Sequence, residues 1–164
     1  MEPIKQKGFH KLPEPVKGAV ITVSDRCYAG TREDASGPLA AKVKLIPDGI
    51  EEVTQALREA IAAGARVILT TGGTGVTPRD LTPEGTAPLL AVRLDGLAEQ
   101  VRAYGLAKTP LASLSRGLVG VTSREADGVL IVNAPGSRGG VKDTVEVIGP
   151  LVPHVLEQLG GGDH

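Results

Sequence analysis

Aromatic side chains are almost missing from this sequence: Phe9, Tyr28 and Tyr104 are the only ones, and tryptophan is absent. Proteins that bind single-stranded nucleic acid stack bases on aromatic platforms, and none can be assembled here. A net charge of −1 gives no basic field for a polyanion or an anionic membrane. Neither nucleic acid nor membrane is therefore expected as a partner. Cysteine is limited to Cys27, which rules out an internal disulfide and a thiolate-based metal site. With no histidine near it in sequence, Cys27 reads as a small residue beside a strand end. No apolar run is long enough for a transmembrane helix. Residues 1–17 lack the apolar stretch of a signal peptide, so the expected location is the cytoplasm.

Usable histidine is scarce as well. His10 lies in the N-terminal segment, His154 falls on the last helical pattern, and His164 closes the sequence. None is placed for general-base work, so an enzyme built on this chain must run without a Ser-His or Cys-His pair.

The 164 residues suit one domain, and 41% hydrophobic with 23% charged residues is the profile of an ordinary globular core. Residues 1–17 carry three prolines and four lysines with little to bury, which predicts a flexible tail. A single domain is expected over residues 18–160, followed by a short tail at 161–164. Three β-branched runs without strict alternation, GAVITVS (18–24), RVILTT (66–71) and GVLIVN (128–133), fit strands buried on both faces. Ile50, Val53, Leu57, Ala60 and Ile61 follow helical spacing up to Gly64. Val141, Val145, Ile148, Val152, Leu156 and Leu159 do likewise, with Pro150 and Pro153 predicted to kink or split that helix. Thr82-Pro83-Glu84 predicts a helix start, with a capping hydroxyl, a proline in the first turn and an early carboxylate. Strands alternating with helices mean an α/β fold with a largely parallel sheet.

In such sheets ligands bind beyond the carboxyl ends of the strands. Small polar residues cluster at three of those ends: Ser24-Asp25, residues 72–80, and residues 133–136. Gly72, Gly73, Thr74 and Gly75 let the backbone turn tightly and bring N–H groups to an anion, although a plain turn fits that tetrad equally well. The sequence matches neither the dinucleotide fingerprint nor a Walker loop. Its continuation packs Arg79, Asp80, Thr82, Pro83 and Glu84 into a stretch that buries little. Asp48, in Ile-Pro-Asp-Gly, reads first as part of a β-turn, and Asp25 and Asp34 are open between capping and binding. Ser115-Arg116 and Ser137-Arg138 each set a hydroxyl beside a guanidinium, suited to a phosphate or to helix capping at a surface. Without a histidine base, transfer of a phosphoryl or nucleotidyl group to an ionised phosphate fits, because positioning, a metal and cations suffice. Two or three aspartates can hold Mg²⁺, which completes its shell with phosphate and water.

Taken in order, ITVSD (21–25), DASGP (34–38), IPD (46–48), TTGGTGVTPRDLTPEGT (70–86), LSRG (114–117) and NAPG (133–136) resemble the motif set of the molybdopterin adenylyltransferases, the MogA/MoaB-type proteins of molybdenum-cofactor biosynthesis. The resemblance runs from about Gly18 to Leu159. It implies a three-layer α/β sandwich with a central, mostly parallel mixed sheet, assembled as a homotrimer. It implies an Mg²⁺-dependent reaction of molybdopterin with ATP as co-substrate, giving adenylylated molybdopterin and pyrophosphate, with hand-over to a molybdenum-inserting partner. On that pattern Asp48 and Asp80 are the catalytic and metal-holding residues. Ser24, Asp25, Asp34, Ser36, Gly37, Gly72, Gly73, Thr74, Gly75, Arg79, Thr82, Pro83, Glu84, Ser115, Arg116, Asn133, Pro135 and Gly136 would line the substrate and nucleotide pocket. Gly85 and Ala134 replace residues common in the family. The connection between Pro38 and Asp48 is shorter than the helix and strand usual there, which would displace Asp48 unless a loop is omitted at Lys42–Val43. Other readings are a non-catalytic molybdopterin-binding paralogue, and a nucleotide-handling domain for another pterin or a sugar phosphate.

Overall fold

The structure is a computed structural model that describes residues 16–25 and 43–162. Its centre is a six-stranded sheet built from β1 (Gly18–Val23), β2 (Val43–Ile46), β3 (Val67–Thr71), β4 (Val92–Arg93), β5 (Val119–Val121) and β6 (Leu130–Ala134). The spatial order is β2-β1-β3-β6-β5-β4. β1, β2, β3 and β6 are mutually parallel. β5 runs antiparallel to β6, and β4 antiparallel to β5. The fold is therefore a mixed, mostly parallel α/β sandwich, as expected. Five α-helices cover the sheet: α1 (Ile50–Ala62), α2 (Thr82–Thr86), α3 (Asp95–Leu106), α4 (Arg138–Ile148) and α5 (Val152–Leu159).

Period-two alternation along the central strands sends side chains into two separate cores. Ile68 and Ile131 join Ile21, Val23, Val53, Ala56 and Leu57 in a layer under α1. Their neighbours Leu130 and Val132, with Val67 and Leu69, join Val119, Ile148, Leu156 and Leu159 on the opposite face. Both faces of the sheet are thus covered, which explains why the strand sequences are largely apolar without strict alternation. α1 ends where Gly64 takes φ +92°. The C-terminal helix divides as the prolines predict: a single 3₁₀ turn at Gly149–Leu151 separates α4 from α5. α3, β4 and β5 were not anticipated individually, because strands of two and three residues carry no usable periodicity.

The returning strand expected before Asp48 is present as β2, paired in register with β1 from Val20↔Val43 to Val23↔Ile46. Asp48 therefore stands at the carboxyl end of a sheet strand despite the short connection. Residues 1–15 and 163–164 of the two expected tails, and residues 26–42 with Lys42 of the Lys42–Val43 step, lie outside the described residues. Among the described residues no helix is long and apolar enough to cross a membrane.

Candidate active site

Two carboxylates meet at the ends of β1 and β2, and Asp80, in the loop after β3, is near enough to act on one of them electrostatically. Asp25 and Asp48 are clasped reciprocally: the Asp48 N–H donates to Asp25 Oδ1 at 2.8 Å, and the Asp25 N–H donates to Asp48 Oδ2 at 3.2 Å. The pairing follows from register, since the parallel strands β1 and β2 end side by side and the Ser24 N–H already donates to the Ile46 carbonyl. Partial burial pushes the Asp48 carboxyl above its usual pKa, and the neighbouring Asp25 and Asp80 carboxylates add to the rise. The Asp25 hydrogen bond and Arg79 pull the other way. An anion-rich corner of this kind favours a cation.

The loop after β3 is fixed by glycines and by one arginine. Gly72 and Gly73 take φ +94° and +67°, which side-chain-bearing residues rarely adopt. A Cβ on Gly72 would run into the Val23 carbonyl, and one on Gly73 into the Thr82 hydroxyl. Asp80 closes the loop on itself, its Oδ2 accepting from the Thr77 N–H at 2.9 Å and its own N–H donating to the Thr77 carbonyl at 3.0 Å. Thr82 was expected to cap α2. Instead it is the first residue of α2, fully buried, and its hydroxyl donates to the Gly72 carbonyl at 2.9 Å.

Arg116, expected at a phosphate, is engaged with the loop. Its Nε donates to the Gly75 carbonyl at 2.7 Å, its Nη2 to the Asp80 carbonyl at 2.7 Å, and its Nη1 to Glu84 at 2.5 Å. Its own N–H donates to the Thr74 carbonyl at 2.8 Å. Asn133 is likewise a buried organiser: Oδ1 accepts from the Leu118 N–H, while Nδ2 donates to the hydroxyls of Thr70 and Thr86. Pro83 is buried under the loop, and Arg79 is exposed beside the carboxylates. Asp34, Ser36 and Gly37 lie outside the described residues.

One cleft of about 630 Å³ opens along this loop, within the roughly 300–1,000 Å³ of small-molecule sites. Gly72, Gly73, Thr74, Gly75, Asp80, Ser115, Pro135 and Gly136 line it, whereas Ser24, Asp25, Asp48 and Arg79 do not. Gly136 packs so close to Gly72 that a Cβ would stand 3.3 Å from the Gly72 Cα. The first turn of α4 also faces the cleft through Ser137, Gly139 and Gly140. Ser137 caps that helix by accepting from the Gly140 N–H at 3.0 Å, and the positive end of the helix suits an anion. The far wall is made by α3 and the segment after it, with Val101, Arg102, Gly105, Lys108, Ala112 and Leu114. Sequence reasoning missed that wall. The described site residues named from motifs sit in or beside the segments that follow β1, β2, β3 and β6 or precede β5, whereas α3 carries no motif.

The candidate metal residues are two carboxylates, Asp48 and Asp80. Among the described residues no group of three or more ligating side chains is close enough to hold a metal by itself. Two carboxylates with phosphate oxygens and water completing the shell is the usual arrangement for Mg²⁺.

Comparison with known proteins agrees with this geometry. Residues 19–154 match the family model described as "Probable molybdopterin binding domain". A molybdopterin adenylyltransferase of Pyrococcus furiosus is 39% identical over 158 residues, covering 90% of this chain and 93% of that protein. The chain spans only 26% of the cinnamon molybdenum-cofactor synthesis protein of Drosophila melanogaster, at 36% identity, and 49% of a bifunctional molybdenum-cofactor biosynthesis protein of Synechococcus elongatus, at 38%. Among solved structures, a molybdenum-cofactor biosynthesis protein of Corynebacterium diphtheriae superposes with a TM-score of 0.81 at 40% identity, covering 88% of this chain and 98% of the other. The tungsten-cofactor synthesizing protein MoaB of Pyrococcus furiosus gives 0.82 at 38% identity, covering 89% and 98%. With its strand-end carboxylates, its arginine-braced glycine loop and its relatives agreeing, the chain belongs to the MogA/MoaB-type family of molybdenum-cofactor biosynthesis proteins.

Proposed function

We propose that this protein is a molybdopterin adenylyltransferase, joining the terminal phosphate of molybdopterin to the adenylyl group of ATP. The observation that carries the reading is a cleft floored by the Gly72–Gly75 backbone and bordered by Asp80, whose carboxylate acts electrostatically on the clasped Asp25–Asp48 pair. The attacking group is already an ionised phosphate, so no general base is required, and His154, the histidine among the described residues, does not line the cleft. A phosphate oxygen of molybdopterin forms a bond to the α-phosphorus of ATP. The bond between that phosphorus and the α,β-bridging oxygen breaks, and the electron pair leaves with pyrophosphate. Asp48 and Asp80 would hold Mg²⁺, which neutralises phosphate charge when bound. The glycine-loop N–H groups and the first turn of α4 orient phosphates. Thr74, buried beside Ser115 with their hydroxyls 3.5 Å apart, fixes the floor between them. Ser24, Asp25, Arg79 and Pro135 belong to the same proposed pocket, whereas Arg116, Thr82 and Asn133 shape it from behind.

The test is pyrophosphate release from ATP in the presence of molybdopterin and Mg²⁺. Asp80→Asn should lower the rate by on the order of 10²-fold or more. Undiminished turnover in that variant removes Asp80 from the mechanism. Calorimetry separates the alternative of a binding paralogue, which would hold molybdopterin but give no heat with Mg-ATP.

A further inference from the structure

Asp143 is the one carboxylate of the cleft that the proposed reaction does not use. It sits in the second turn of α4, is only 6% exposed, and lines the cleft. Its Oδ1 accepts from the Lys108 ammonium, which also lines the cleft and lies 4.7 Å above the Tyr104 ring. Oδ2 makes no hydrogen bond within the described chain. Yet no buried side-chain oxygen or nitrogen among the described residues lacks a partner, so Oδ2 keeps an opening, and the cleft is where Asp143 borders open space. The backbone leaves room there. Gly105 faces Asp143 from the last turn of α3, and a Cβ on it would stand 3.6 Å from Oδ2 and 2.8 Å from the Ala112 Cβ. Around the pair the wall is apolar, made by Val101, Ala112 and Leu114. A carboxylate nine-tenths buried in an apolar wall, with one oxygen open to the cleft and an ammonium alongside, offers a ligand an acceptor and a donor side by side.

We propose that Asp143 and Lys108 read the hydrogen-bonding edge of the pterin ring and so set specificity for the pterin substrate. A pterin presents two adjacent N–H donors, the 2-amino group and N3, followed by the O4 acceptor. A carboxylate accepts from the two donors and an ammonium donates to the carbonyl, while the flat ring lies against the apolar wall. The matching of donor and acceptor order is the reason for naming a 2-amino-4-oxo heterocycle; the adenine ring of ATP presents a different order. The inference rests on the adenylyltransferase reading, which brings pterin and nucleotide to this cleft.

The test titrates molybdopterin and Mg-ATP separately into the full chain and into Asp143→Asn, and repeats the first titration with 2,4-dioxo analogues that lack the 2-amino donor. In the unaltered chain the pterin should bind more tightly than its dioxo counterpart. In Asp143→Asn molybdopterin affinity should fall roughly 10- to 100-fold, the loss expected for hydrogen bonds to a charged acceptor. The preference over the dioxo analogue should vanish while ATP affinity holds. Lys108→Ala provides the second arm: it breaks the ion pair but keeps the carboxylate, so the preference should survive in part. If the pair only ties α4 to α3, both variants will melt earlier and the preference will be unchanged, which overturns the proposal. An unaltered chain that releases pyrophosphate but does not discriminate the 2-amino group also overturns it and leaves the enzyme reading standing. An unaltered chain that binds no pterin at all overturns both.

Discussion

At the scale of single residues, two kinds of constraint operate on the loop after β3. Gly73 is fixed by conformation, since φ +67° costs a side-chain-bearing residue about 1–3 kcal/mol, and by space, since its missing Cβ would meet Thr82. Gly73→Ala should therefore lower the melting temperature by roughly 5 °C or more. Thermal unfolding followed by circular dichroism checks it, and a melt within a degree of the unaltered chain would contradict the assigned strain. Asp48 is constrained by charge instead. Partial burial and the nearby Asp25 and Asp80 carboxylates raise its pKa, a surrounding that fits the proposed cation site. The sequence offered little to separate these cases: Ile-Pro-Asp-Gly is a good turn in any protein. Only the register between β1 and β2 sets Asp48 against Asp25, a pairing that no turn motif announces.

At the scale of elements, the loop of residues 72–82 is a unit held by Arg116 from the segment before β5. Its guanidinium meets two carbonyls and the Glu84 carboxylate, and the Arg116 interaction holds the Glu84 carboxyl below its ordinary pKa of 4.5. A lowered folded-state pKa contributes stability that is present above the unfolded value and is lost as pH falls through the folded one. The ion pair is partly solvated, with side-chain exposures of 37% and 41%, so it is worth at most about 1 kcal/mol. The stability gap between the unaltered chain and Glu84→Gln should be open at neutral pH and closed by about pH 3. Denaturant titrations at several pH values measure it, and a gap that persists at low pH would show that Glu84 acts through packing. Ser115-Arg116 had been read as equally suited to phosphate or to a surface, because adjacency in sequence does not tell where a guanidinium is spent. The helices were more legible. The stop at Gly64 and the break at Pro150 and Pro153 both follow from backbone chemistry alone. α3 escaped notice because its amphipathic pattern is weak, and with it went the wall of the cleft that carries Lys108 and Gly105.

For the whole molecule, the sheet order places β3 and β6 at the centre, each hydrogen-bonded on both sides and packed between the two cores. Amide exchange should accordingly be slowest in Val67–Thr71 and Leu130–Ala134 and faster in the edge strands β2 and β4. A map with β4 as protected as β3 would contradict this hierarchy. The class of fold was readable because strands buried on both faces must be apolar throughout. The mixed direction of the sheet was expected only from the family likeness, since strands as short as β4 and β5 leave no trace in composition. The central position of β3 has a thermodynamic corollary for its loop. Its ends are anchored in the least mobile strand and in a buried helix start, so the loop loses its conformational freedom when the chain folds and not when ligand arrives. Phosphate binding at residues 72–75 should then proceed with little ordering entropy and only a small change in heat capacity, as expected of a rigid mould.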